Sequence, residues 1–255
     1  MQIGFRVNTS FRAKVSVILA LALTVCTALT WAASEKESAN VVDSGTFAVL
    51  MNGKRVASET FSIHQGASGS SVISRFRTEA EATPSEQSSE LQLTPAGELK
   101  SYEWKEISPG QSHATVVPNQ GFLMERYSSG ADSKPQEQPF LLPASTNILD
   151  DYFFVQREVL AWKYLQTSCK QEKGSIDCPL KVRAQMGTLN AHARASALVS
   201  LQFSGREKVR INGTDRDLIR LDLKSETGDW TMWLDDQLKL QRMTDEGNTT
   251  EVVRE

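Results

Sequence analysis

From residue 45 onward, apolar side chains recur at every second position in short runs, and turn sequences separate these runs about every 8 to 12 residues. The first run contains Phe47, Val49 and Met51. It ends at Asn52-Gly53, a strong hairpin signal, and a second such signal occurs at Asn212-Gly213. Because successive side chains of a strand point to opposite faces of a sheet, this alternation gives each strand one apolar face. The sequence therefore predicts a meander of antiparallel strands.

One segment breaks this pattern and predicts a helix over residues 147–166. Its apolar residues recur at helical spacing: Ile148, Tyr152, Val155, Val159 and Trp162. Asp150 and Asp151 fall in the predicted first turn, where negative charge suits the helix dipole. Such a stripe has to be buried, and the apolar face of the sheet is the one large surface available to it. We therefore expect a mainly β fold of the α+β class, in which a curved antiparallel sheet or half-barrel of about 10–12 strands wraps around one long helix.

Residues 1–32 have the features of a bacterial secretory signal peptide. Three basic residues, Arg6, Arg12 and Lys14, and no acidic residue precede an apolar stretch over residues 15–29. Small residues near Ala32 predict cleavage after that position. The stretch is short for a transmembrane anchor, which needs about 20 apolar residues. A lipoprotein anchor at Cys26 is disfavoured, because Val25 stands where a lipobox has a small residue. The sequence thus predicts a periplasmic or secreted protein.

Cleavage would leave a flexible leader at 33–44 and a single β-rich domain at 45–255. Loss of the three basic residues changes the formal net charge from −3 to −6. An acidic chain is a poor match for nucleic acid, whose affinity comes from basic residues at phosphates, and for anionic lipid surfaces. No later segment is apolar enough to span a bilayer, so we expect no transmembrane span after cleavage.

Two cysteines remain after cleavage, Cys169 and Cys178. An even cysteine count in an oxidising compartment predicts a disulfide, and the loop between these two is short and polar. Their spacing does not match a CxxC redox pair, and two cysteines are too few for a cysteine-only zinc site. We therefore expect a structural disulfide.

Three segments resemble parts of uncharacterised exported bacterial proteins: GTFAVLMNGKRVASETFSI at 45–63, LTPAGELKSYEW at 93–104 and WTMWLDDQLKLQRM at 230–243. Ala57 departs from that pattern, because it stands where a second glycine is usual. The shape expected for these proteins resembles the half-barrel of periplasmic lipoprotein carriers, an incomplete barrel with a helix across its mouth. The resemblance, which spans most of residues 45–243, implies the binding of a lipid or another apolar ligand.

Six large apolar residues are candidates for lining a ligand cavity between the helix and the sheet. They are Trp104, Met124, Tyr152, Phe153, Trp162 and Trp230. Residues of this kind build ordinary cores and also form the walls of ligand pockets. Trp230 and Trp233 have opposite parity on one strand, so one of them has to lie on the other face of the sheet.

The sequence contains no recognisable catalytic or metal-binding motif. His64, His113 and His192 are isolated in strand ends or loops, and HExxH, GxSxG and Gly-rich phosphate loops do not occur. Asp150 and Asp151 could be paired catalytic carboxylates, but their position at a helix start already explains them. We therefore expect a protein that is not an enzyme and holds no metal or cofactor, although a catalytic triad is defined by geometry rather than by sequence order.

These observations favour a periplasmic, non-enzymatic binding protein for an apolar or lipid-like ligand. The alternative is a structural or protein-interaction module of the cell envelope, with a filled interior and a sheet edge that recruits a partner protein. A hydrolase is the third reading. An open cavity of about 300 Å³ or more would favour ligand binding, whereas a packed interior would favour the interaction module.

Overall fold

The computed structural model describes residues 39–79, 83–172, 175–180 and 182–255, so the predicted signal peptide lies outside the described residues. The strands before the helix are β1 (Asn40–Met51), β2 (Lys54–Gly66), β3 (Gly69–Thr78), β4 (Glu86–Leu93), β5 (Leu99–Ser108), β6 (His113–Asn119), β7 (Phe122–Ser128), β8 (Gln136–Phe140) and β9 (Asn147–Ile148). The helix α1 spans Val155–Ser168. The strands after it are β10 (Lys170–Glu172), β11 (Ser175–Asp177), β12 (Arg183–Asn190), β13 (Ala195–Ile211), β14 (Thr214–Lys224), β15 (Trp230–Leu234), β16 (Leu240–Asp245) and β17 (Thr250–Arg254).

Fifteen of the described strands form one open sheet in the order β8-β7-β6-β5-β4-β3-β2-β1-β17-β16-β15-β14-β13-β12-β9, and β10 and β11 form a separate hairpin. The N-terminal and C-terminal strands pair in the middle of this sheet, with Phe47 opposite Arg254. All pairs are antiparallel except that of β9 with β12. Both predicted hairpin turns are confirmed: Asn52-Gly53 and Asn212-Gly213 have positive φ angles, as a two-residue turn of type I′ requires.

The sheet curls, so that strands near its two ends approach each other. β8 is one terminal strand, yet Arg194, in the turn between β12 and β13, lies 3.5 Å from the side-chain oxygen of Gln136 on β8. Neighbouring strands lie about 4.8 Å apart, so a flat sheet would separate β8 from β13 by more than about 50 Å. The sheet nevertheless stays open, with β8 and β9 as its edges.

One face of the main sheet packs against α1, and we call this the inner face. Its core joins fully buried residues of the strands to the buried side of the helix: Phe47, Val72, Leu91, Tyr102, Leu123, Leu201, Leu221, Met232, Leu160, Ala161 and Leu165. A second, small apolar cluster is separate from this core and holds Trp233 with Val209, Ile211 and Leu218. Trp230 packs against the main core, so the two tryptophans of β15 lie on opposite faces, as their parity predicts.

Buried ionic groups attach α1 to the first and last strands. Arg254 on β17 donates hydrogen bonds to Asp43 on β1 (2.5 and 3.1 Å) and to Glu158 on α1 (3.0 Å). Lys239 forms a further ion pair with Asp43 at 3.1 Å. Burial alone would raise the pKa of Asp43, but the hydrogen bonds and charge of Arg254, together with Lys239, lower it to about 2. The carboxylate of Asp43 is therefore charged in the folded protein.

The helix and the leader differ from their predicted bounds. α1 begins at Val155 rather than at residue 147, because Asn147 and Ile148 pair with β12 as strand β9. β1 begins at Asn40, inside the predicted leader 33–44, because the backbone there pairs with β2 and the side chain of Asp43 is held by ion pairs. Local sequence gives little sign of either contact.

The seventeen strands in the described part of the chain also exceed the 10–12 that were expected. The additional strands are short or polar and lack the two-residue alternation. β8, for example, has the sequence QEQPF and is held by its backbone pairing with β7. The predicted disulfide is confirmed: Cys169, directly after α1, is bonded to Cys178, and the loop between them carries the β10–β11 hairpin.

Candidate functional site

A buried carboxylate from the sheet fixes the start of α1. Glu59, on the inner face of β2, accepts the backbone amides of Phe154 (2.7 Å) and Val155 (3.3 Å) and the hydroxyl of Ser74 (2.6 Å). The helix has no side-chain cap of its own, and the first amides of any helix lack partners inside it. Burial raises the pKa of Glu59 to about 7, while these hydrogen bonds and the charge of Arg157 oppose the rise. Glu59 thus places the helix on the inner face.

Asp150 is the centre of a second buried network, just before the helix. Its carboxylate accepts the hydroxyl of Tyr102 at 3.0 Å and lies 2.5 Å from Nδ1 of His192. The other ring nitrogen of His192 lies 2.7 Å from the side-chain oxygen of Gln87 on β4, and the ring stacks on Trp104 with centroids 3.7 Å apart. These contacts hold the β12–β13 turn and the segment before α1 against β4 and β5.

This network corrects two interpretations of the sequence. Asp150 is not a charge in the first turn of a helix, because α1 begins later and the carboxylate is completely buried. His192 is not isolated, because the curl of the sheet brings it to Asp150 and Gln87. A Ser–His–Asp arrangement would need a nucleophilic hydroxyl at Nε2 of the histidine. The side-chain oxygen of Gln87 occupies that position, so the His192–Asp150 pair connects neighbouring segments of the fold in this structure.

An apolar groove of about 290 Å³ lies between α1 and strands β2 to β4. Its aliphatic wall consists of Val42, Ile63, Val72, Leu91, Leu93, Ile148, Val159 and Leu160. Lys163 also lines the groove, and its ammonium group donates to the carbonyl oxygens of Ser145 (3.0 Å) and Gly97 (3.4 Å). Desolvation lowers the pKa of Lys163, and Glu98 opposes this shift. The volume is close to the lower limit of about 300 Å³ for small-molecule sites.

A second cavity, of about 570 Å³, lies between the start of α1 and strands β12 to β14. Phe154, Arg157 and Trp230 contribute to its wall from one side, and small residues of β13, among them Ala197, contribute from the other. The two cavities share no lining residue, and helix residues line both of them.

The six predicted lining residues have different environments. Trp162 lines the groove, and Trp230 lines the second cavity. Trp104 and Phe153 are buried in the core, and the ring of His192 stacks on that of Trp104. Tyr152 is partly exposed and packs edge-on against Phe76 at 5.5 Å. Met124 has the opposite parity to its buried neighbours Leu123 and Glu125, so its side chain is on the other face of β7.

Sequence reasoning missed the buried polar residues that organise this region. Glu59 and Glu125 lie on the apolar faces of their strands, and a charged residue at an inward position of an alternating run was the signal available for both. Neither carboxylate oxygen of Glu125 has a hydrogen-bond partner among the described residues. Burial raises its pKa to about 7, Arg194 opposes the rise and Asp150 adds to it.

Within the described part of the chain, no group of three or more His, Cys, Asp or Glu residues is placed to hold a metal ion. No helix there is long and apolar enough to cross a membrane. Comparison with protein-family models found no match, and neither did comparisons with curated proteins and with solved structures.

Proposed function

We propose that this protein binds an apolar, lipid-like ligand in the groove between α1 and strands β2 to β4. The observation that carries the proposal is the aliphatic part of the groove wall, to which both the sheet and the helix contribute. Apolar walls with a few placed polar groups are the usual composition of a ligand site. The polar groups here include the ammonium of Lys163 and the amide nitrogen of Gln156, which has no hydrogen-bond partner among the described residues. Other polar residues that line the groove are Gln65, Ser70, Thr94, Asn147, Gln166 and Thr167.

The proposal includes a half-barrel architecture similar to that of periplasmic lipoprotein carriers. The curl of the sheet around α1 supports it, as does the approach of Arg194 to β8. This is a likeness of architecture, and we therefore base the ligand class on the groove and not on the likeness.

We further propose that the protein is exported and that the signal peptide is removed after Ala32. The N-terminal charge and apolar pattern support this, and so does the Cys169–Cys178 disulfide, because disulfides persist in oxidising compartments. N-terminal sequencing of protein recovered from the cell envelope should begin at Ala33. Recovery of the protein with residues 1–32 still attached would contradict cleavage.

Ligand binding is tested by native mass spectrometry of protein gently purified from its own cells, followed by lipid extraction. We expect an additional mass in the lipid range that disappears in Trp162→Asp, whose side chain lines the groove. Leu198→Asp is the matched control, because Leu198 is 62% exposed and lies outside the groove. Circular dichroism establishes that both variants fold. A wild-type mass without ligand, with no lipid in the extract, would contradict the proposal.

The second candidate is a protein-interaction module. Its supporting observation is the sheet edge at β8, whose outer side has no partner strand in the described chain and which ends beside Leu141, exposed at 93%. An exposed edge can take up a strand from a partner protein. A ligand-free mass, together with loss of partner-protein binding in Leu141→Asp, would favour this candidate over ligand binding.

A further inference from the structure

The second cavity contains a buried cation without an ion-pair partner. Arg157 is 5% exposed, and its Nη1 donates to the backbone oxygen of Asp150 at 2.9 Å. Its Nε has no hydrogen-bond partner among the described residues, and within that part of the chain Nη2 donates no hydrogen bond either. Nε is enclosed by protein atoms, so Nη2 is the donor of this guanidinium group that remains available to a ligand.

Leaving this guanidinium group without a counter-charge is energetically unfavourable for the isolated protein. A buried charge usually has a counter-charge and a full set of hydrogen bonds, because desolvation is otherwise uncompensated. Desolvation accordingly lowers the pKa of Arg157, and the nearby charges of Asp151, Asp150 and Glu59 oppose the shift. Glu59 and Asp150 already accept hydrogen bonds from other groups, the helix amides and the Tyr102 hydroxyl.

The surroundings of Arg157 match an organic molecule and not an isolated ion. The guanidinium carbon lies 5.1 Å from the ring centre of Phe154 and 5.4 Å from that of Trp230. Trp230 is part of the cavity wall, and Thr188 and Thr227 also line the cavity. The volume of about 570 Å³ lies within the range of about 300–1,000 Å³ that small-molecule sites occupy.

We propose that this cavity binds a small organic molecule with one anionic group, a carboxylate or a phosphate, that accepts a hydrogen bond from Nη2 of Arg157. A hydrogen bond from a guanidinium group to an oxyanion is charge-assisted and about twice as strong as one between neutral groups. The body of the ligand packs against Trp230. Asp151 and Glu226 also line the cavity and are exposed, so they would repel a second anionic group on the ligand. This site is separate from the apolar groove and does not depend on it.

Isothermal titration calorimetry of the full chain tests this site with three probes that share one ring system: 1-naphthoate, 1-naphthyl phosphate and the neutral 1-naphthamide. We expect at least one anion to bind about 10- to 100-fold more tightly than the amide, as for a hydrogen-bonded charge pair. The tighter of the two anions identifies the headgroup. Equal binding of the amide, or no binding of either anion, would overturn the proposal.

Arg157→Met should weaken binding of the anion by about the same factor. Arg242→Met is the matched control, because Arg242 also lies over a tryptophan, Trp233 at 5.2 Å, but outside the cavity. If Arg157→Met does not fold, Ala197→Trp keeps the arginine and fills the cavity, and it should abolish binding. Unchanged anion binding in a folded Arg157→Met or Ala197→Trp protein would contradict the assignment.

Discussion

The carboxylate of Glu59 accepts the backbone amide of Phe154 at 2.7 Å, although the two residues are 95 positions apart in the sequence. This hydrogen bond joins the second strand of the sheet to the start of the helix that forms one wall of both cavities. The position of α1, and with it the shape of both cavities, therefore depends on a charged residue inside the core.

Glu59→Ala should lower the free energy of unfolding by about 2–4 kcal/mol, because it leaves buried helix amides without an acceptor. Ser74→Ala removes one hydrogen bond to the same carboxylate and should cost about 1 kcal/mol. Urea denaturation followed by circular dichroism measures both. A loss below about 1 kcal/mol for Glu59→Ala would show that the helix does not depend on this cap.

Arg254→Met should destabilise the protein by about 3–5 kcal/mol, because it leaves the buried carboxylate of Asp43 with a single cationic partner, Lys239. Arg126→Met is the control: its pair with Glu137 at 2.8 Å is exposed, and its loss should cost at most about 1 kcal/mol. The same denaturation experiment separates the two. Equal losses would mean that the buried network contributes no more than a surface pair.

Stability should fall as the pH rises from about 4.5 to about 7, and Glu125 should cause part of this fall. Burial raises its pKa from 4.5 to about 7, so the folded protein keeps a proton that the unfolded chain releases within this interval. The contribution of Glu125 to the free energy of unfolding is complete below pH 4.5 and is lost above pH 7. The difference is about 3 kcal/mol at most. Glu59 acts in the same direction, so the useful quantity is the difference between wild type and Glu125→Gln.

Urea titrations at several pH values between 4 and 8 provide that difference. Glu125→Gln should have a flatter pH profile than wild type, whereas Glu137→Gln, at an exposed position, should keep the wild-type profile. Parallel profiles for wild type and Glu125→Gln would contradict the raised pKa.

Removing the disulfide with Cys169→Ser and Cys178→Ser should cost about 2–3 kcal/mol, the loop-closure value for so short a loop. The loop follows the end of α1, so the helix should lose its last turn first. Amide hydrogen exchange of residues 165–168 measures this fraying. Unchanged exchange there in the double variant would show that the bond stabilises only its own loop.

The alternating pattern was enough to predict the β-rich class, the two Asn-Gly hairpins and the opposite faces of Trp230 and Trp233, because each depends on residues close in sequence. The start of α1 was mispredicted because Ile148 continues the helical spacing of Tyr152 and Val155. In the structure Asn147 and Ile148 pair with β12, a contact across some 40 residues. The same limit applies to β1, whose first residues are held by Arg254 at the far end of the chain.

The candidate sites were less predictable than the fold. The aromatic residues drew attention to Trp162 and Trp230, and each lines one cavity. Arg157 was not predicted, since a charged residue within a helical stripe looks solvent-exposed until the helix is docked. His192 was missed because its partners on β4 and in the segment before α1 come together through the curl of the sheet.

The central claim, that the groove between α1 and β2 to β4 binds an apolar ligand, is tested most directly with a neutral probe, N-phenyl-1-naphthylamine, whose emission rises in apolar surroundings. We expect a saturable rise with wild type and with Leu141→Ala, which changes an exposed residue outside the groove. Val159→Trp fills the groove from the helix side and should abolish the rise while circular dichroism remains native. The absence of saturable emission with wild type, or equal emission with folded Val159→Trp, would contradict the claim.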